Sequence, residues 1–338
     1  MLMRLAGNWP GLRRCMAAGG ISVLLLAAIA VGAAIGHVLP QQGAWLGEQV
    51  DLTLLLLIGL LFFGVRFDAL ARALGHLRFI ALALLANFVL VPCIGWGIAR
   101  AILPDHPLFM VGLVIYFMSP CTDWFLGFTR LARGNVALGT ALIPINMVLQ
   151  LLLYPLYLHL VTRHVVPVDG GVIGTTLLQW FLLPLAVAMT AHQALRALLG
   201  PACFERLLAR VDAVTPWVIA LLVAEIFAAN VETLLAQRGM LGWLLLAVLL
   251  FFIATFMLGE LLGRLAHLEH PEHALLTMTM AARNAPLMLA VTMAALPGQP
   301  LVHAAIIIGM LLEFPHLTLL RHLLLRDPAR CLRPAAAG

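Results

Sequence analysis

The sequence contains no lysine; all 20 of its basic residues are arginines. Charge of either sign is scarce, at 10% of residues, where an ordinary soluble domain carries about 25%. With 63% of its 338 residues hydrophobic and a mean hydropathy of +1.04, the chain is not a soluble globular domain. Its five cysteines (Cys15, Cys93, Cys121, Cys203 and Cys331) form no CxxC pair and no regular framework. A disulfide scaffold and a zinc ribbon are thereby excluded, and each thiol is first read as a small buried hydrophobe. No Walker A sequence is present, which disfavours direct ATP-driven transport by this chain alone. A net charge of +5 made of arginines alone reads, in so apolar a chain, as membrane topology and not as nucleic-acid binding.

Apolar runs near the bilayer-crossing length of about 20 residues recur from end to end. Barrel strands are shorter and alternate in polarity, so the fold class is an all-α polytopic membrane protein. Ten spans are expected, at 17–39, 50–65, 77–103, 108–132, 136–161, 171–195, 213–233, 240–266, 273–295 and 301–325. The first follows Arg4, Arg13 and Arg14 but is too long for a signal peptide and is kept as a span. Sixteen loop arginines then fall on one side and Arg100, Arg163 and Arg238 on the other, with Arg283 inside a span. The positive-inside rule puts both termini in the cytoplasm of a plasma or inner-membrane protein, which requires an even number of crossings.

Ten spans divide into two inverted repeats of five, residues 1–165 and 166–338, the design of many secondary transporters. "LLLYPLYL" in the fifth span and "LLEFPHLTLL" in the tenth share an aromatic-proline pair. The fourth span is interrupted at Ser119-Pro120 and the ninth at "ARNAP", up to Pro286. Proline removes a backbone donor, and in lipid the freed carbonyls need partners, so such breaks face protein or water. Broken helices at matching places in two halves point to a transport site near the midplane.

The polar residues of these spans are the candidate site. Asp123 and Arg283 lie deep in spans four and nine, where a charge costs roughly 2.5–3.5 kcal/mol on the insertion scale. They are expected to face each other, as an ion pair that locks the breaks, couples a proton, or both. Cys121, with Ser119 and Thr122 beside it, is either packing or substrate contact. Glu313, next to Pro315 in the last span, suits a proton carrier or a partner for backbone freed by that proline. Asn146, Gln150, Asn284 and Asn87 either line the same cavity or bind helices together. Partners for Glu225 and Glu260 are not legible. "HLEHPEH", His267 to His273, has metal-like spacing, but Pro271 and a cytoplasmic loop position favour a solvated histidine-rich loop.

"SPCTDWFLGFTRLARGNVALGTALIPINMVLQ" resembles helices four and five of the arsenical-resistance family of arsenite permeases, within the bile acid/sodium symporter superfamily. "ARNAPLMLAVTMAALPGQPLVHAAIIIGMLLEFPHLTLL" resembles helices nine and ten, with Leu312-Glu313-Phe314-Pro315 at the family's Ile-Glu-Val-Pro. The resemblance implies arsenite efflux driven by an electrochemical gradient, with Cys121 needed for activity. It also implies a core of helices 3–5 and 8–10 containing two crossing broken helices, and a panel of helices 1, 2, 6 and 7. Where the family has Asn-Asn-aromatic-Glu on helix nine, this chain has Arg283-Asn284-Ala285-Pro286, and Asp123 has no counterpart. In sodium-coupled relatives that region supplies sodium ligands, so the expectation here is coupling to protons and not to sodium. The function expected first is proton-linked arsenite antiport, with Cys121, Ser119, Thr122, Asn146 and Asn284 at the substrate and Glu313 or Asp123 handling the proton; the alternative is organic-anion symport, with Arg283 on the carboxylate, and a third reading is an intramembrane cysteine hydrolase. The last lacks a base on the same span, since His303 and His316 lie elsewhere. A transporter without a cofactor or metal, and not an enzyme, is therefore expected.

Overall fold

The computed structural model describes residues 19–64, 74–122, 124–162, 178, 182–296 and 298–326. Asp123, the termini and most of the segment 163–181 lie outside the described residues. Every regular element among the described residues is helical, as bilayer physics demands of backbone that must satisfy itself. In chain order they are α1 (Gly19–Val38), α2 (Pro40–Phe63), α3 (Leu77–Ile102), α4 (Pro107–Phe117), α5 (Phe125–Leu131) and α6 (Val136–Thr162). There follow α7 (Leu183–Leu199), α8 (Pro201–Ala236), α9 (Arg238–Leu265), α10 (His270–Ala281), α11 (Ala285–Ala295) and α12 (Pro300–Leu325).

Five of these, α2, α3, α8, α9 and α12, are long and apolar enough to cross a bilayer. The α6 helix makes a sixth if its two arms, bent by 49°, are one span. Prolines Pro144 and Pro155 lie inside α6 and account for a bend. The α2 helix begins at Pro40, well before the expected start at 50, because proline's fixed φ suits a first helical turn. The expected spans four and nine are each built from two shorter helices, α4 with α5 and α10 with α11.

The helices pack in two groups. In one, α1, α2 and α7 lie against the 36-residue α8. Its closest approach is set by small residues: a Cβ on Gly32 would strike the carbonyl oxygen of Ala224, and one on Gly36 that of Ala228. In the other, α12 packs on α4, α9 and α11, while α9 also meets α10 and α3. From His273 onward the α10 helix is buried on all sides, whereas α9 turns Leu246, Leu249, Ile253, Met257 and Leu261 outward as a lipid-facing stripe.

Broken helical bonds are repaired by side chains. Pro92 cannot bond the carbonyl of Phe88, and a π-helical turn, Ala86–Leu90, precedes it; the Tyr157 hydroxyl donates to that carbonyl at 2.6 Å. The histidine-rich segment corrects the expectation of a solvated loop. Pro271 sits in the first turn of α10, which begins at His270, so the proline starts a helix and does not interrupt one. His270 is buried with Nε2 at 2.9 Å from the Ala132 carbonyl, and His273 is buried with Nε2 at 3.2 Å from Glu260.

Candidate functional site

The two breaks meet. Pro120 and Arg283 pair as a single antiparallel bridge, flanked by Cys121 N–H to the Ala282 carbonyl at 3.0 Å and Asn284 N–H to the Ser119 carbonyl at 2.9 Å. Pro286 lies in the first turn of α11, so the ninth-span break precedes it, at residues 282–284. Its missing N–H would have bonded the Ala282 carbonyl in a continuous helix, and Cys121 N–H takes that carbonyl instead.

The diverted donors leave three carbonyls without their helical partners. A continuous helix would join Thr279 to Arg283 N–H, Met280 to Asn284 N–H and Phe117 to Cys121 N–H. Here Arg283 N–H goes to Glu313 Oε1 (2.8 Å), Asn284 N–H to Ser119 and Cys121 N–H to Ala282. The Arg283 guanidinium collects all three stranded carbonyls: Nη1 donates to Phe117 (2.9 Å), and Nη2 to Thr279 (2.8 Å) and Met280 (2.7 Å). Phe251 covers this group, its ring centroid 5.8 Å from Cζ, and itself stacks on Phe117 at 4.0 Å. The guanidinium is fully buried.

Glu313 of α12 ties both breaks together. Besides Arg283 N–H, its carboxylate accepts the indole N–H of Trp124 at 2.8 Å and the hydroxyl of Tyr116 at 3.1 Å. The three donors flank the break between α4 and α5 and sit at the crossing itself, so one buried carboxylate holds both. The backbone donor it receives comes from the ninth-span break and not from the turn at Pro315.

Of the remaining expected residues, Thr122 receives the Asn284 side-chain amide at 3.0 Å, and the Ser119 hydroxyl returns to the Ile115 carbonyl at 3.1 Å. Asn87 and Asn146 both direct an amide to the Thr279 hydroxyl, at 3.2 and 3.5 Å. Gln150 lines a small void with Ser119, Tyr154 and Met288. Cys121 is buried. Glu225, whose partner was not legible, accepts the Thr53 hydroxyl at 3.0 Å between α2 and α8. The expected Asp123–Arg283 contact lies outside the described residues.

Sequence reasoning overlooked Tyr116, Trp124, Thr279 and Tyr157. A signal existed: the chain has 3 tyrosines, and Tyr116 and Tyr157 repair the environment of breaks, while Tyr154 bonds Thr292 at 3.2 Å. Scarce phenols in an apolar chain are placed where a hydroxyl is needed.

A cavity of about 810 Å³ lies between the two helix groups. Thr122 and Trp124, beside the crossing, are among its lining residues. Leu25, Leu60, Leu61, Val211 and Ile219 line one wall, and Leu126, Val136, Ile143 and Met147 the other. The other polar groups are few: Thr140, Thr215, Asp212 and Arg130. Cys121 is not among the lining residues.

Helix breaks that meet beside a cavity shared by two helix groups are a feature of secondary membrane transporters. Residues 51–237 match the Sodium Bile acid symporter family, to which this chain belongs. It is 26% identical, over 246 residues, to a rice (Oryza sativa subsp. japonica) protein named probable sodium/metabolite cotransporter, chloroplastic. That match covers 70% of this chain and 55% of the rice protein, about half its length. Likeness to the arsenical-resistance protein of Corynebacterium glutamicum is 22% over 317 residues, covering 87% of this chain and 85% of that one. An uncharacterized sodium-dependent transporter of Bacillus subtilis is 24% identical over 264 residues, 77% of this chain and 78% of its own.

Proposed function

We propose that the protein is a secondary transporter for a small organic anion with an apolar body, working by alternating access. The observation that carries this reading is the cavity of about 810 Å³: mostly apolar, beside the crossing, with Arg130 among its lining residues. In this reading the chain crosses a plasma or inner membrane ten times, in inverted halves 1–165 and 166–338, with both termini cytoplasmic. Matching breaks in the two halves and the one-sided arginines support that layout. The α1, α2, α7 and α8 group is the panel, and the group containing the crossing is the core that rocks against it. Arg283, spent on main-chain carbonyls, does not hold the substrate carboxylate; Arg130 meets it on entry.

Arsenite efflux is the second reading. Cys121 at the crossing and the likeness to the Corynebacterium protein along most of both chains favour it. The cavity argues against it, being far larger than a trihydroxy-arsenic molecule, as does a thiol buried away from its walls. The test is uptake of labelled bile-acid, keto-acid and arsenite solutes into proteoliposomes holding the full chain or its Thr215→Trp and Cys121→Ser variants. Organic-anion uptake lost in Thr215→Trp and kept in Cys121→Ser supports the proposal. Arsenite flux lost in Cys121→Ser, with no organic-anion flux, replaces it by the second reading.

A further inference from the structure

We infer that the Arg283 guanidinium is a tethered cation that permanently fills the ion position of this transporter, so that transport proceeds without sodium. The inference deepens the transporter reading and rests on it. A helix C-terminus leaves carbonyls without donors and carries about half a negative charge. Two such ends, those of α4 and α10, are brought together at the crossing. In transporters built from inverted repeats, unwound carbonyls and half-helix C-termini of this kind coordinate the coupling cation. Here the three carbonyls released by the breaks, Phe117, Thr279 and Met280, all lie 2.7–2.9 Å from guanidinium nitrogens.

Among the described residues the side-chain oxygens of Asn87, Asn146 and Gln150 keep no hydrogen-bond partner, but the other oxygens at the crossing are committed. Glu313 accepts three protein donors, Thr122 accepts the Asn284 amide, and the Ala282 and Ser119 carbonyls take main-chain N–H groups. A sodium ion entering this cluster would have to displace a fixed unit charge held by three hydrogen bonds and covered by Phe251. Nor can the guanidinium leave with the substrate, since its side chain is covalently tethered to the main chain at the crossing. It balances the helix ends in every state of the cycle, whereas a mobile cation balances them only when bound. The names of the sodium-dependent relatives therefore do not extend to the ion used by this chain.

The test needs no substrate. Purified full-length protein in detergent is assayed for binding of sodium-22 and for melting temperature in sodium chloride against potassium chloride at equal ionic strength. Wild type is expected to hold no more sodium-22 than empty detergent and to melt alike in both salts. Arg283→Gln, which removes the tethered charge and keeps an amide, is expected to gain a saturable sodium site and a melting temperature that rises with sodium only. Saturable sodium binding by wild type overturns the inference, and so does a folded Arg283→Gln protein indifferent to sodium. If that variant does not fold, the wild-type arm still decides. A failure to find an organic-anion substrate leaves this result standing, and sodium binding by wild type would leave the cavity's substrate class untouched.

Discussion

Replacing Glu313 with alanine removes the acceptor of three buried donors at once: Trp124 Nε1, Tyr116 Oη and Arg283 N–H. A buried donor left without its acceptor costs roughly 1–3 kcal/mol, and the losses within one network are not additive. A reasonable figure for the alanine variant is about 5 kcal/mol, since all three donors belong to buried residues. At this chain length about 2 °C of melting temperature accompanies each kcal/mol, so a fall of about 10 °C is expected. Glu313→Gln keeps one carbonyl oxygen for two donors and turns its amide toward the tyrosine hydroxyl, which can rotate to accept. Its fall should be about half as large, and that of Tyr116→Phe, which loses one bond of 3.1 Å, smaller again. The assay is thermal unfolding of detergent-purified protein followed by size-exclusion recovery. An alanine variant melting within about 2 °C of wild type would refute the reasoning, because a single kcal/mol cannot represent three orphaned donors.

Other outcomes follow from the same geometry. Gly36→Leu should prevent α1 from seating on the Ala228 carbonyl, and expression of monodisperse protein should fall sharply, while Gly97→Leu, with open space beside it, should be tolerated. Tyr157→Phe leaves the Phe88 carbonyl without its donor and should cost about 1–3 kcal/mol, read as a melting shift of a few degrees. Arg130→Gln should raise the KM for an organic anion several-fold and leave the melting temperature unchanged, since this side chain is exposed. Thr279→Val should disturb both Asn87 and Asn146, so a double-mutant cycle of Thr279→Val with Asn146→Leu should show coupling of about 0.5–3 kcal/mol.

Hydropathy alone made the helical membrane fold legible, because bilayer length and backbone satisfaction leave few alternatives. Proline placement located the breaks to within a few residues, since Pro120 and Pro286 lack donors wherever they sit. Which carbonyls those breaks would strand, and what would claim them, was not legible. Arg283 was visible as a buried charge, yet its three partners are main-chain atoms, identical at every position in a sequence. Glu313 stood out as a carboxyl in an apolar helix, but its donors are 30 to 197 residues away along the chain. The start of α10 was misread because Pro271 breaks a helix that precedes it and begins one that follows, and only the flanking structure distinguishes these.

A density map of the full chain in a lipid nanodisc, at side-chain resolution, bears most directly on the crossing. It should show backbone interrupted at 118–124 and 282–284, the two segments antiparallel, the Arg283 guanidinium on the carbonyls of Phe117, Thr279 and Met280, and Glu313 reaching both breaks. Continuous helix through either segment, or an Arg283 side chain turned into the cavity or toward lipid, would contradict the account.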